Sequence, residues 1–245
     1  MDRNLETVKR AIIEKDMDFL LVITGRERIG KSSLGLHTAV TIQPDFDVSQ
    51  IVFDIQTLYE QVYSLKPGSV VIIDEGATAF FSRDAMSTDV KDGIKLLTVM
   101  GERNLFVIIC VPSFFILDKY IREYRVSGIA RVVARGRFKY YSRSRLKRSF
   151  KGKTNKRFNW RNPSFKDSFP AFTGKLWEEY TERKAEYLAK RKAPRLEEGK
   201  EGNGFILVSK KAKQENVSVS TIKRMIDKGE LEGHKTIAGR WVCKD

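Results

Sequence analysis

An octapeptide near the N-terminus has residues whose types and spacing suit phosphate chemistry. Gly25-Arg26-Glu27-Arg28-Ile29-Gly30-Lys31-Ser32 follows the apolar run 19–24 and leads into a helix-forming stretch, 33–40. In this G-x-x-x-x-G-K-S spacing (Walker A), the glycines let backbone N–H groups curl around phosphate oxygens, and the helix N-terminus adds its positive end. The lysine reaches the β- and γ-phosphates, and the serine hydroxyl binds Mg²⁺. We therefore predict an ATP and Mg²⁺ site whose nucleotide-binding residues are Gly25, Arg28, Gly30, Lys31, Ser32, Ser33 and Ser113.

A pair of carboxylates follows another apolar run, as in a Walker B arrangement. Residues 70–73 are Val-Val-Ile-Ile and are followed by Asp74 and Glu75. Asp74 would join Ser32 in holding Mg²⁺, and Glu75 is placed to orient or deprotonate an attacking water. Glu75 could instead be a surface residue after a strand. Because hydrolysis needs a base, the pair favours an ATPase with Glu75 and Lys31 as catalytic residues, and it disfavours a small-molecule kinase.

Three further residues could complete the site. Ser113 follows the apolar run 105–111 and Pro112, a position suited to sensing the γ-phosphate. Arg103 lies just before that run, and Arg83 follows the Asp74 turn. An arginine supplied by a neighbouring subunit would stabilise transition-state charge. Each arginine could equally be a surface ion-pair partner, and Arg28 could point to solvent.

The elements that must position these residues alternate along the front half of the chain. Strands are predicted at 19–24, 51–53, 70–73, 105–111 and 130–134, and helices at 33–40, 55–65, 89–103 and 114–124. This alternation predicts a mainly parallel sheet with helices on both faces, a P-loop NTPase fold. The nucleotide would bind outside the carboxyl ends of the strands. A last strand or hairpin is expected at 137–142.

The positive charge of the chain is concentrated in one stretch. The net charge is +15, and residues 131–161 contain 13 Lys and Arg but no Asp or Glu. Cations there alternate with aromatic residues, a pattern that suits phosphates and unpaired bases. A solvated surface segment is the alternative. The DNA-binding candidates in this stretch are Arg143, Arg145, Lys147, Arg148, Lys151, Lys153, Lys156 and Arg157.

The last 41 residues predict a separate small domain. A short helix at 206–217, a second helix at 218–229 with the apolar stripe Ile222, Met225 and Ile226, and two strands up to Val242 are expected. This order resembles the winged helix-turn-helix of excisionase and MerR-type proteins. The resemblance implies DNA contacts by Ser218, Ser220, Thr221, Lys223 and Arg224 on the second helix, and by Lys235 and Arg240 on the wing. The alternative is a protein-docking module.

Two runs near the candidate site carry a family likeness. Residues 67–76 with Phe80-Phe81-Ser82-Arg83, and residues 107–113 with Leu117-Asp118-Lys119-Tyr120-Ile121-Arg122, resemble the phage zonular-occludens-toxin-like ATPases. These are similar to the wider FtsK–HerA lineage of genome-packaging and DNA-pumping ATPases. The likeness covers roughly 17–143. It implies a homo-oligomeric ring, typically hexameric, and an arginine acting in trans, here Arg103 or Arg122.

Composition and patterning define the expected organisation. A hydrophobic content of 41% supports a folded core, and no apolar run approaches the ~20 residues of a membrane span. The two distant cysteines favour a reducing, cytoplasmic location, in the host if the protein is viral. Three parts are predicted: the NTPase domain at 1–143, a connecting segment at 144–204 and the winged helix-turn-helix at 205–245. The connecting segment consists of a basic stretch, a helix that ends at Pro194 and a linker.

Two functions remain open from the sequence. The first is an ATP-hydrolysing motor on DNA that translocates DNA or packages a viral or mobile-element genome. The second is an ATP-switched DNA-binding protein in regulation, partitioning or replication.

Overall fold

The structure is a computed structural model in two units. It describes residues 17–74, 88–149, 160–197, 205–235 and 241–244, together with isolated positions between 5 and 14. Contacts within the chain divide it into Met1–Lys184 and Ala185–Asp245. Each unit has its own sheet.

The first unit is built on a seven-stranded sheet of order β2-β3-β4-β1-β5-β6-β7. The five strands from β2 to β5 are parallel, and β6 and β7 add antiparallel at one edge. The strands are β1 (Phe19–Thr24), β2 (Ile51–Val52), β3 (Val70–Ile73), β4 (Phe106–Val111), β5 (Gly128–Ala134), β6 (Arg137–Ser142) and β7 (Phe165–Ser168). The predicted mainly parallel α/β sheet is therefore confirmed; the strand expected at 137–142 is β6, but β7 follows it, so β6 is not the last strand.

Helices connect these strands. They are α1 (Lys31–Ile42), α2 (Ile55–Ser64), α3 (Thr88–Glu102) and α4 (Arg143–Ser149), and α5 (Lys175–Glu197) begins in the first unit. The apolar residues of β3 and β4 are buried along their whole length, which suits strands covered on both faces. The sheet thereby brings the carboxyl ends of β1, β3 and β4 to one edge, where the candidate residues lie.

The helix predicted at 114–124 is replaced by two shorter turns. Ser113 caps a 3₁₀ turn at Phe114–Ile116, because its hydroxyl accepts a hydrogen bond from the N–H of Phe115. Leu117 then has an extended backbone. The carboxylate of Asp118 accepts from the N–H of Tyr120 at 2.7 Å, and a π-helical turn follows at Ile121–Arg125. Side-chain hydrogen bonds to the backbone thus compete with a continuous helix.

The first unit extends past the predicted boundary at 143/144. Strand β7 pairs with β6, from Arg137 opposite Ser168 to Tyr140 opposite Phe165. The hydroxyl of Tyr141 also donates to the carbonyl oxygen of Trp160 at 2.7 Å. Residues 160–184 are therefore part of the first unit rather than of a connector. Helix α5 continues through Pro194 to Glu197, so the stop expected at Pro194 does not occur, although a proline at this point removes one backbone hydrogen bond of the helix.

The second unit contains two short helices and a three-stranded antiparallel sheet of order β8-β10-β9. Its elements are β8 (Phe205–Leu207), α6 (Val208–Gln214), α7 (Val219–Asp227), β9 (Gly233–Lys235) and β10 (Trp241–Lys244). Ile206, Val208, Ala212, Ile222 and Cys243 form its core. The helix predicted from 206 begins two residues later, because Ile206 pairs with Cys243 in the sheet.

Among the described residues, no helix combines the length and the apolar character that crossing a membrane requires.

Candidate nucleotide and metal site

The loop between β1 and α1 has the backbone geometry that its glycines predict. Gly30 has a φ of 105° and caps the N-terminus of α1 without a side-chain hydrogen bond, a conformation that favours glycine. A β-carbon at Gly25 would lie 2.8 Å from the carbonyl oxygen of Val132, so only glycine fits beside β5. Arg28, with a φ of 57°, is exposed on the loop.

The three residues after Gly30 begin α1 and have different partners. The amine of Lys31 donates to the carbonyl oxygen of Arg26 at 2.9 Å, so its positive charge lies over the loop. The hydroxyl of Ser32 donates to Oδ2 of Asp74 at 2.9 Å. The hydroxyl of Ser33 accepts from the N–H of Phe172 at 2.9 Å. The N-terminus of α1 and the amine of Lys31 together form a positive region that suits an anion.

Asp74 follows β3 and is the buried acid of the site. Its side chain is 4% exposed, and its N–H donates to the carbonyl oxygen of Val52 at 3.0 Å. Since β4 separates β3 from β1 in the sheet, Asp74 contacts Ser32 across the carboxyl end of β4. The fold thus brings together a hydroxyl and a carboxylate that are 42 residues apart.

Two side chains of α5 also bind the carboxylate of Asp74. The hydroxyl of Tyr180 donates to Oδ2 at 2.5 Å, and the amine of Lys184 donates to the same oxygen at 3.1 Å. The amine of Lys184 lies 3.0 Å from the hydroxyl of Tyr180. Burial raises the pKa of Tyr180 above its usual value, and the negative charge of Asp74 raises it further. Tyr180 therefore stays protonated at neutral pH and remains a donor.

The segment between β7 and α5 covers the first turn of α1. The ring of Phe169 lies 3.6 Å from the position of a β-carbon on Gly30. Nε2 of His37 lies 3.0 Å from the carbonyl oxygen of Pro170, and its ring centroid is 4.8 Å from that of Phe172. Residues 169–184 thus contact α1 near its N-terminus and then Asp74. We call these residues the strap.

The residues present fit a magnesium ion that arrives with a nucleotide. Mg²⁺ is usually held by one or two carboxylates together with phosphate oxygens and water. Ser32 and Asp74 offer a hydroxyl and a carboxylate at the positive end of α1. Within the described ranges, no group of three or more His, Cys, Asp or Glu residues could hold a metal. Ser32 and Asp74, joined by their hydrogen bond, are the residues that would hold the ion, which would neutralise phosphate charge.

A cavity of about 620 Å³ lies beside the loop, on the β5 side. Thr24, Arg26 and Ser113 line it near the loop, and Arg131, Lys139 and Trp160 line it further out. The guanidinium of Arg131 lies 4.8 Å from the ring centroid of Trp160. None of the lining residues, all from the described part of the chain, is acidic. The cavity therefore suits an anionic ligand with a planar group.

Of the candidate arginines, Arg103 lies away from the glycine loop within one chain. Arg103 precedes β4, at the amino edge of the sheet, and donates to the carbonyl oxygen of Leu65 at 2.6 Å. The guanidinium of Arg122 lies 6.0 Å from the ring centroid of Phe115. Glu75 and Arg83 lie outside the described residues, so the assignment of Glu75 as the base rests on its place after Asp74.

Only part of the basic segment lies among the described residues. Arg143 donates to the carbonyl oxygens of Val126 and Tyr124 at 2.7 Å each, so it holds the chain before β5. Arg145 and Lys147 follow it on α4. The side chains of the other candidates in this segment lie outside the described residues: Arg148, Lys151, Lys153, Lys156 and Arg157.

In the second unit, the candidate contacts lie on α7. The hydroxyl of Ser218 caps the helix by accepting from the N–H of Thr221 at 3.1 Å. Ile222 faces the core, and Ser220 and Arg224 are exposed. Lys223 and Thr221 are half-buried. Arg240 lies outside the described residues, as does the side chain of Lys235.

Sequence reasoning did not find the strap residues at the site. Tyr180 is 106 residues from Asp74 and Lys184 is 110 residues away. The one available signal is their spacing, because residues four apart share a helix face. That spacing does not indicate which residue the face contacts.

The glycine loop between β1 and α1, with an acid after β3, defines a mainly parallel α/β domain with a P-loop. No family model and no curated protein matches the chain. Among solved structures, it is similar to the N-terminal domain of zonular occludens toxin from Neisseria meningitidis. The identity is 16%, over 51% of this chain and 84% of that chain, with a TM-score of 0.39.

The chain is also similar to the genome packaging NTPase B204 from Sulfolobus turreted icosahedral virus 2. The complex of that protein with AMP matches at 13% identity over 52% of this chain and 93% of that chain, with a TM-score of 0.41. Its complex with ATP-gammaS matches at 14% identity over 53% of this chain and 93% of that chain, with a TM-score of 0.39. At these identities and TM-scores, the function proposed below is argued from the residues of the site.

Proposed function

We propose that this chain is an ATP-hydrolysing, DNA-binding motor that assembles as a homo-oligomeric ring. The observation that carries the ATP part is the hydrogen bond of 2.9 Å between Ser32 and Asp74 at the end of the glycine loop. This hydrogen bond supports the proposal, because Ser32 and Asp74, the expected ligands of Mg²⁺, lie close together beside the positive end of α1. Lys31 adds the charge that a triphosphate needs, and Glu75 would act as the base.

Charge and aromatic residues support the DNA part of the proposal. The stretch 131–161 has 13 Lys and Arg and no acid, and it includes Arg131, Lys139 and Trp160 of the cavity. A sequence of this composition can bind phosphates by releasing counterions and can offer rings for base stacking. In the second unit, α7 would be the recognition helix of a winged helix-turn-helix, with Ser220, Thr221, Lys223 and Arg224 facing the groove and Arg240 on the wing. DNA translocation or genome packaging is the activity that combines both parts.

An ATPase assay with DNA tests this proposal. We expect turnover to rise when single- or double-stranded DNA is added, and native mass spectrometry to show an oligomer in the presence of ATP. Replacing Arg145, Lys147, Lys151 and Lys153 with glutamine should weaken DNA binding and reduce its salt dependence, since each lost phosphate contact lowers the log–log slope by about 0.9. Arg143 is left unchanged because it binds backbone carbonyls.

The matched control replaces Lys66 and Lys175, which are exposed outside the basic stretch, and it should leave DNA binding unchanged. Turnover that ignores DNA, from a protein that stays monomeric, would contradict the motor. Unchanged DNA affinity after the four replacements would show that the basic stretch is not the contact.

One observation favours the second candidate function, an ATP-switched DNA-binding regulatory protein. Tyr180 and Lys184 bind the carboxylate on which the metal depends, which suits slow hydrolysis and a response to ATP binding. The two functions differ in the same assay. A switch should hydrolyse weakly with and without DNA, and its footprint on DNA should be set by the second unit alone.

A further inference from the structure

The strap provides the donors that bind Asp74 in this structure. Oδ2 of Asp74 accepts from the hydroxyls of Ser32 and Tyr180 and from the amine of Lys184. A carboxylate oxygen has about two lone-pair sites. Three donors exceed the lone-pair sites of Oδ2, so a metal ion or metal-bound water that uses this oxygen would have to displace one of them.

Lys184 is the donor that a metal ion would repel most strongly, because it is the one with a positive charge. Its side chain is 22% exposed, and it forms an ion pair with Asp74 at 3.1 Å. This ammonium neutralises a buried carboxylate, as a cation in the metal site would do. A divalent ion between Ser32 and Asp74 would repel it at short range. Tyr180 is buried against the same oxygen, so the two side chains would leave together with their helix face.

We propose that Lys184 and Tyr180 are positioning residues that occupy the magnesium side of the nucleotide site, and that binding of the metal–nucleotide complex releases them from Asp74. This inference rests on the proposed function. It makes the affinity for Mg²⁺–nucleotide depend on α5 and ties nucleotide binding to a movement of the strap. Arg183 adds a competing anchor, since it donates to the carbonyl oxygen of Val48.

Calorimetry with ATPγS tests the inference on the full chain. The affinity for ATPγS is measured once with Mg²⁺ and once with EDTA. The ratio of the two affinities reports how much Mg²⁺ contributes to nucleotide binding. Lys184→Met keeps the length of the side chain and removes its charge, and Tyr180→Phe removes only the hydroxyl. We expect the ratio to rise about 10-fold in Lys184→Met and about 3-fold in Tyr180→Phe, because Lys184 brings a positive charge to Asp74 whereas Tyr180 is a neutral donor. Lys175→Met, on the same helix but far more exposed, is the control and should not change the ratio.

Hydrogen exchange supplies a second readout that does not depend on affinity. Amides of 175–184 should exchange faster in the wild-type protein when Mg²⁺ and ATPγS are present. The same amides should not respond to Mg²⁺ alone or to ATPγS in EDTA.

The outcomes separate this inference from the proposed function. Nucleotide binding in the wild-type protein with an unchanged ratio in Lys184→Met, or slower exchange of 175–184, would overturn the inference alone. Absence of nucleotide binding in the wild-type protein would refute the proposed function and, with it, the inference.

Discussion

Replacing Lys31 with alanine is expected to weaken ATP binding by about 100-fold, because bonds between a charged donor and phosphate are each worth about 1.5–3 kcal/mol. Lys31 is the first residue of α1, and its amine already lies over the glycine loop, 2.9 Å from the carbonyl oxygen of Arg26. No neighbouring backbone N–H can replace a positive charge at that point. Calorimetry with ATPγS and Mg²⁺ measures the loss.

The control for Lys31→Ala is Lys66→Ala. Lys66 is exposed in the turn before β3, at the amino edge of the sheet, so its loss removes the same charge without touching the loop. Circular dichroism on both variants establishes that they are folded. If Lys31→Ala bound ATPγS as tightly as the wild-type protein, the glycine loop would not be the phosphate site.

Glu75→Gln should abolish turnover and preserve binding. Glutamine has the size of glutamate but cannot accept a proton, and loss of a general base typically costs about 100-fold to 10,000-fold in rate. The affinity for ATPγS should stay within about 3-fold of the wild-type value, because a general base acts in the chemical step and does not contribute to binding of the nucleotide in its ground state. Rapid-quench measurement of one turnover separates the chemical step from product release.

Asp74→Asn is the variant with which Glu75→Gln should be compared, because the two are expected to differ in their effect on Mg²⁺-dependent binding. The Asp74 carboxylate faces Ser32, so its loss should weaken Mg²⁺-dependent binding as well as turnover. Glu75→Gln should affect turnover alone. Unchanged turnover in Glu75→Gln would remove this carboxylate from the mechanism and leave the attacking water to another group.

The parts of the fold that could be predicted are those with local signals. Four consecutive apolar residues before Asp74 and six residues at 19–24 are buried strands, because an apolar run of that length fits a sheet covered on both faces. The glycine spacing likewise predicts the loop, since a φ of 105° at Gly30 needs that residue. The apolar runs and the glycine spacing are both local in the sequence, since each lies within the element that it predicts.

The parts that could not be predicted depend on contacts between distant segments. Strand β7, of sequence Phe-Lys-Asp-Ser, has no apolar alternation, and it forms because β6 offers an edge. The contact of Tyr180 with Asp74 joins residues 106 positions apart, so no spacing in the sequence indicates it. The contact of Arg103 with the carbonyl oxygen of Leu65 joins residues 38 positions apart, and the sequence likewise does not indicate it.

A crystal structure of the chain with ATPγS and Mg²⁺ would locate the nucleotide and the metal ion. We expect the triphosphate on the backbone amides of 25–32, with Mg²⁺ held at Ser32 and Asp74 and with Tyr180 and Lys184 withdrawn from that carboxylate. A nucleotide bound elsewhere, or crystals grown with saturating ATPγS whose glycine loop holds no phosphate, would contradict the account.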